Sequence, residues 1–318
     1  MRCSPASGPI VFFTGGSILD KILSNKWAIT VFVLPTLLIF LGISIVPLFI
    51  TGYYSFFDYN GFAKIKPSDF VGLGNYVRLF AGDPVFLVSL KNTLILIVGS
   101  ILIQIPIAFL LANRLAKGIP GEKAFRTIYF IPVVIASTII GKLFYYVFSS
   151  DIGMVNAMVR ALGVKDFQFN WLTHPSTAFL CVAFAAIWQY IGYHMIILYA
   201  GIKSIPNDYF EAAILEGASE AKIIGRITIP LLAPVSKTCV ILATVGSVRT
   251  YDIVMAMVGS GSHSGTQVPA ILLWRNLFKG RLVGYGSAQA LFLVVLCLLM
   301  SYLITRLFKK SEENAKFE

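Results

Sequence analysis

The chain has 318 residues, of which 57% are hydrophobic and only 13% are charged. Soluble globular chains carry about 25% charged residues, so this composition excludes an ordinary soluble domain. The formal net charge of +11 does not indicate a nucleic-acid partner, because the basic residues are scattered between apolar stretches and form no single patch. The four cysteines show neither metal-ligand spacing nor a disulfide pattern.

Long apolar stretches recur along the chain, and each is long enough to cross the roughly 30 Å apolar core of a bilayer as a helix. The predicted spans are Trp27–Ile50, Val85–Ala112, Thr127–Phe148, Thr177–Gly201, Thr238–Val258 and Leu282–Phe308. We therefore predict an all-α membrane protein of six transmembrane helices over residues 27–308, with the lipid bilayer as its surroundings.

The lysine and arginine residues between the spans predict the orientation. Cytoplasmic segments carry an excess of these residues, and placing both termini inside puts roughly twice as many of them inside as outside. Residues 1–26 are then a cytoplasmic N-terminal segment, residues 202–237 form a cytoplasmic loop, and residues 309–318 form a cytoplasmic tail.

That cytoplasmic loop contains the sequence EAAILEGASEAKIIGRITIP, from Glu211 to Pro230. The pattern predicts a short helix capped by Asn207 or Asp208, a break at Gly217, and a second helix that ends before Pro230. Isoleucines give the second part an apolar face. On the residues alone, both a docking surface for a partner and an ordinary amphipathic linker between two spans remain open.

This segment resembles the Glu-Ala-Ala loop of ABC-importer permeases, which carries fixed residue types at fixed spacing. The matching positions are Glu211, Ala212, Ala213, Gly217, Ile227 and Pro230, with Ile229 where leucine is usual. The resemblance implies that the loop provides the coupling helices that dock into an ATPase subunit.

Further segments extend the resemblance across residues 29–308. They are Phe70–Phe80, Lys91–Leu96, Trp188–Pro206, Thr250–Thr266 and Gly284–Val295. The chain is thus identified as a member of the maltose-type carbohydrate-uptake permeases, which implies the type I ABC importer fold. It also implies a second homologous permease, two copies of an ABC ATPase, an extracytoplasmic solute-binding protein, and location in a bacterial or archaeal plasma membrane.

The same resemblance suggests residues along a substrate path. The sugar-contacting positions of the family fall on Gln189, Tyr190 and Tyr193 in the fourth span, and on Ala243, Ser247 and Thr250 in the fifth. Polar residues inside spans face a cavity or another helix, so helix packing is the alternative for each of them. We expect His194 to be a hydrogen-bonded packing residue.

Arg249 is the most costly residue to place in a membrane. It follows Lys237 by 12 positions, or about 18 Å along a helix, so we expect it to face the bundle interior. Asp252 would lie on the same helical face and could neutralise it as an ion pair. Alternatively, Arg249 faces the path and binds a carboxylate or phosphate through its two-point fork of donors.

The sequence shows no pattern of enzyme chemistry. It has no phosphate-binding G-x-x-x-x-G-K-[ST] motif, so we expect ATP and magnesium to be bound by partner ATPase subunits and no cofactor by this chain. We predict a permease subunit of a binding-protein-dependent importer for a sugar or oligosaccharide, with an acidic solute left open. The alternatives are a permease for glycerol phosphate or a polyol, and an ion-coupled secondary transporter, for which Asp252 is the single embedded carboxylate candidate.

Overall fold

A computed structural model describes residues 26–259 and 264–317 of the chain. Within these ranges the protein is helical, with no β-strand and one isolated antiparallel bridge between Phe57 and Phe70. The predicted all-α class is therefore confirmed. The chain divides into two compact units, residues 1–53 and residues 54–318. The predicted N-terminal segment lies almost wholly outside the described residues.

The longer helices are numbered in chain order. They are α1 (Ile29–Tyr54), α2 (Pro84–Ala116), α3 (Glu122–Val134), α4 (Ser137–Val147), α5 (Met154–Ala161), α6 (Ala178–Lys203), α7 (Asn207–Leu215), α8 (Glu220–Leu231), α9 (Ala233–Val248), α10 (Asp252–Val258), α11 (Pro269–Trp274) and α12 (Val283–Phe317). A short turn of helix, Gly74–Val77, precedes α2.

Four of these helices are long and apolar enough to cross a membrane alone, namely α1, α2, α6 and the Val283–Lys309 part of α12. Two bent pairs raise the number to six if each pair is one span. The pair α3 and α4 is bent by 93°, and the pair α8 and α9 by 70°. The described residues thus supply four to six candidate spans.

Two of the predicted spans are wrong as continuous helices. The third breaks after Val134, because Ile135 and Ala136 have ψ angles of 135° and 132°, which cannot continue a helix. The fifth ends at Val248, and a separate helix begins at Asp252. No proline or glycine lies within residues 249–251, so this second break has no local signal in the sequence.

Several helices contain a widened, π-helical turn, and proline explains most of them. Five such turns occur in the described residues, and four end two residues before a proline. Those four turns are Leu41–Ile45, Arg78–Gly82, Ser100–Gln104 and Ile224–Thr228. Proline cannot continue the regular hydrogen-bond ladder and its ring crowds the preceding turn, so the helix widens there.

The core of the larger unit is arranged along α6. One apolar cluster surrounds the first half of this helix and includes Phe144, Val182 and Ile253. A second cluster surrounds its other half and includes Met195 and Leu198. The polar stretch of residues 189–194 lies between the two clusters, so apolar packing on both sides of it along α6 holds it in place.

Helices α3 and α6 are in backbone contact at Gly192. A Cβ atom at this position would lie 1.9 Å from the carbonyl oxygen of Tyr129, so only glycine fits. The close approach brings the break between α3 and α4 against the polar stretch of α6.

Candidate functional site

A cavity of about 440 Å³ opens beside the polar stretch of α6. Its walls come from α2, α6, α9, the non-helical link between α9 and α10, and the first residues of α4 and α10. All seven residues predicted for the substrate path line it, namely Gln189, Tyr190, Tyr193, Ala243, Ser247, Arg249 and Thr250. The structure therefore brings the two predicted groups together in one place.

Gln189 connects the cavity to the break between α3 and α4. Its side chain is only 1% exposed, and its Nε2 lies 3.1 Å from Ser137 Oγ and 3.3 Å from the carbonyl oxygen of Ile135. The bend leaves this carbonyl without a regular helical partner, and the amide compensates for the loss. The Oε1 atom of Gln189 has no hydrogen-bond partner within the described chain.

The two tyrosines of α6 provide aromatic surface to the cavity. Tyr190 is 42% exposed, and Tyr193 is half-buried with its ring edge-on to His194 at a centroid distance of 5.3 Å. A ring with an accessible face and a hydroxyl suits solutes that present both apolar and polar surface.

The wall formed by α9 carries small and polar side chains. Ser247 is buried and donates its hydroxyl to the carbonyl oxygen of Ala243 at 2.8 Å. Thr250 donates to the carbonyl oxygen of Gly246 at 3.1 Å. Both hydroxyl protons are engaged, so these oxygens are left to accept hydrogen bonds from a solute.

Arg249 and Asp252 do not have the predicted relationship. Since α9 ends at Val248, the two residues lie on either side of a break and not on one helical face. Both are exposed and line the cavity, and within the described ranges no ion pair joins them. The expectation that the two residues share one helical face is therefore wrong, and Arg249 lies at the cavity wall.

Sequence reasoning missed the contribution of α2. Ser100 and Gln104, the first and last residues of its π-helical turn, are buried and line the cavity. Gln104 Nε2 lies 2.8 Å from His194 Nδ1, which confirms His194 as a hydrogen-bonded residue. Pro106 was the one available signal, since a proline inside a span indicates an irregular turn just before it.

The predicted coupling segment has its break at Gly217, with φ of +73°. The N–H of Gly217 donates to Ile214 and that of Ala218 donates to Ala213, both at 2.9 Å. This pair of bonds closes the end of α7 and requires a left-handed residue, which explains the glycine. The start of α7 differs from prediction, because Pro206 occupies the cap and no side chain caps the helix.

The coupling segment presents an apolar surface. Leu215 is 89% exposed and Ile214 is 64% exposed, whereas Ala213 is buried. The remaining predicted positions are Glu211 and Ala212, which are exposed, and Ile227 and Pro230, which are half-buried in α8. Lys117 forms an ion pair with Glu220 and ties the segment to the end of α2.

The comparisons with known proteins identify the class. Residues 104–312 match the family described as "Binding-protein-dependent transport system inner membrane component". The chain belongs to this family, so it is a membrane-embedded permease component of a transport system. The predicted resemblance is confirmed at this level.

Named relatives agree with the assignment. The chain is 32% identical to the probable ABC transporter permease protein YurN of Bacillus subtilis, over 91% of this chain and 99% of the relative. It is 29% identical to the trehalose/maltose transport system permease protein MalF of Thermococcus litoralis, over 86% of this chain and 90% of the relative.

A solved structure shares the fold. It is a bacterial ABC transporter involved in the import of the acidic polysaccharide alginate, matched with a TM-score of 0.76. The sequence identity is 23%, and the match covers 92% of this chain and 99% of the other.

Proposed function

We propose that this chain is one of two homologous permease subunits in an ATP-driven importer for a sugar or oligosaccharide. The observation that carries the proposal is the cavity itself, where tyrosine faces, a buried amide and two hydroxyls with accepting lone pairs converge. Sugars offer apolar ring faces and many hydroxyl groups, and these two kinds of surface match the lining. A relative named for trehalose and maltose transport supports the same solute class.

In this proposal the chain crosses the membrane six times and has both termini in the cytoplasm. The bent pairs α3 with α4 and α8 with α9 each count as one span. The permease domain is residues 27–308, and residues 202–237 face the cytoplasm. The cavity then forms half of a path whose other half is supplied by the second permease.

The coupling segment docks on an ABC ATPase, of which the assembly holds two copies. The exposed Ile214 and Leu215 provide the apolar contact, and Glu211 provides an exposed carboxylate beside them. ATP and magnesium are bound and used by those ATPase subunits, and a solute-binding protein outside the membrane delivers the solute. This chain contributes the path and the docking surface.

Arg249 favours an acidic saccharide within this class. A guanidinium at the wall of a low-dielectric cavity attracts carboxylates, and it holds them through two parallel hydrogen bonds. The solved structure that shares the fold belongs to an importer of an acidic polysaccharide. Glycerol phosphate would satisfy the same guanidinium and remains the second candidate.

The test is transport by the complete complex reconstituted in vesicles. The binding protein and one solute are added on the outer side of the membrane, and ATP is placed on the side that carries the ATPase subunits. The solutes compared are maltose, trehalose, glycerol phosphate and alginate oligosaccharides. We expect ATP-dependent uptake of a saccharide, with glycerol phosphate excluded. Uptake driven by an ion gradient without ATP would overturn the proposal.

A further inference from the structure

We infer that α5 is an interfacial helix whose free face lies among the headgroups and upper acyl chains of the outer lipid leaflet. The inference goes beyond solute transport, but it rests on the topology in the proposed function. There the pair α3 and α4 counts as one span, and the segment between α4 and α6 lies on the outer side of the membrane.

The free face of α5 is apolar. Five residues of this helix are exposed, and four of them are apolar, namely Met154, Ala157, Met158 and Ala161. Their spacing of three and four residues places them on one side of the helix. Leu162, directly after the helix, is 85% exposed. An apolar face of this kind marks a surface that a membrane or another protein covers.

Hydrogen bonds hold α5 at the outer ends of α4 and α6. On the opposite face, the fully buried Asn156 donates from Nδ2 to the carbonyl oxygens of Ser150 at 3.0 Å and Phe169 at 2.9 Å. Its Oδ1 accepts from Trp171 Nε1 at 2.8 Å. The hydroxyl of Thr177, the residue before α6, donates to the carbonyl oxygen of Trp171 at 2.8 Å. These bonds fix α5 close to the points where α4 ends and α6 begins.

The end of α4 carries the residues that mark a headgroup layer. Tyr145 is 39% exposed and Tyr146 is 51% exposed, and Lys142 Nζ lies 4.4 Å from the centroid of the Tyr145 ring. Tyrosines are enriched where a span meets the headgroups, and lysines near the end of a span extend towards the same layer. Helix α5 begins eight residues after Tyr146 and packs against α4, so it lies at this layer.

The composition of the free face favours lipid over the solute-binding protein. A delivery protein has to dissociate in each transport cycle, and the interfaces of such transient partners are about as polar as the rest of a protein surface. The exposed residues of α5 include one charged group, Arg160, at the border of the apolar face. An interfacial helix combines an apolar face with basic residues at its border, and Lys165 adds a second exposed cation just after the helix.

The test measures which phase surrounds the free face. The complete complex, without native cysteines, is reconstituted in vesicles of phosphatidylcholine and phosphatidylglycerol, and Met158→Cys carries a small fluorophore. We expect a loss of fluorescence when the lipids are brominated near the top of their acyl chains, and little loss with aqueous iodide. Arg160→Cys is the matched control on the same helix, and we expect iodide to quench it more strongly than Met158→Cys.

Each other outcome rejects one of the two proposals. Quenching of Met158→Cys by iodide and not by brominated lipid would place the face in water and overturn the inference. Quenching by neither reagent would mean that a protein such as the second permease covers the face, and protection from iodide only after the solute-binding protein is added would assign the face to that partner. Both results overturn the inference. Quenching by brominated lipid in a complex that transports no saccharide would retain the interfacial helix and reject the proposed function instead.

Discussion

The cavity and the coupling segment differ in how the sequence specifies them. The coupling segment is continuous in the chain, and its shape depends on one residue, Gly217, and on hydrogen bonds between neighbours. The cavity is assembled from distant parts of the chain, as in the contact between Gln104 and His194, which lie 90 residues apart. Changes in the segment should therefore act on coupling alone, whereas changes around the cavity act through packing as well.

The largest effect is expected where the cavity depends on helix packing. Gly192→Leu would drive a side chain into the backbone of Tyr129, which cannot move without separating α3 from α6. Overpacking typically costs about 1–3 kcal/mol, and the cost exceeds this range where backbone has to move, as it does here. Thermal unfolding of the purified chain in detergent measures the loss.

Gly42→Leu is the matched control for that variant. It makes the same change in a helical segment, but no atom lies within 4 Å of the added Cβ. Its stability should equal or exceed that of the wild type, because leucine favours helix more than glycine does. Equal losses in the two variants would show that backbone contact at Gly192 is not what holds the cavity together.

The second largest effect is expected at Arg249, and it distinguishes an acidic from a neutral solute. Arg249→Gln removes a charged donor from the cavity wall, and hydrogen bonds to charged groups contribute about 1.5–3 kcal/mol. KM for an alginate oligosaccharide should rise about 10- to 150-fold, whereas KM for a neutral sugar should change little. Arg249→Lys keeps the charge but loses the two-point fork, so it should restore only part of the affinity.

A double variant tests the position of Asp252. No ion pair joins Arg249 to Asp252 in the described structure, so Arg249→Gln should reach the membrane at normal levels, and adding Asp252→Asn should leave its raised KM unchanged. A low membrane level of Arg249→Gln that the double variant restores would mean that the two residues pair in the assembled complex.

The sequence predicts the coupling segment better than it predicts the cavity. The turn at Gly217 was predictable because a left-handed residue at a helix end has a local chemical signature. The polar residues of α6 were predictable because hydrophobic stretches flank them on both sides. The break after Val248 was not, since Thr250 and Tyr251 are compatible with a helix and the break has no local signal.

The sequence also did not predict that α2 contributes to the cavity. Ser100 and Gln104 lie inside an apolar span and belong to no recognisable motif, so no pattern in the sequence marks them as cavity residues. Their position in the cavity arises from the widened turn before Pro106 and from the packing of α2 on α6. Such relations depend on distances between helices, which a single sequence does not contain.

The third largest effect is expected in the coupling segment, at Gly217. Gly217→Leu forces a left-handed conformation on a residue with a Cβ, at a cost of about 1–2 kcal/mol. No atom lies within 4 Å of the added Cβ, so the effect is conformational and not steric. We expect insertion in the membrane and binding-protein-independent ATP hydrolysis to persist while solute uptake per ATP falls about 5- to 30-fold.

Gly217→Asn is the control, since asparagine adopts the left-handed conformation more readily than other residues. It should retain most of the coupling. Normal uptake per ATP in Gly217→Leu would remove the docking role from the segment, because the turn would then be dispensable.

The smallest effect is expected at the ion pair between Lys117 and Glu220, which links the coupling segment to the end of α2. The two side chains are 39% and 56% exposed, and exposed ion pairs contribute little because water screens them and both long side chains lose freedom. Lys117→Gln should therefore change uptake per ATP by less than about twofold, and raised salt should abolish even that difference. Lys222→Gln, which removes an exposed lysine that forms no ion pair in the described structure, controls for the loss of charge. A large loss of uptake per ATP that is independent of salt and confined to Lys117→Gln would mean that α2 and the coupling segment move as one body. The cavity and the docking surface would then be less separable than their sequences suggest.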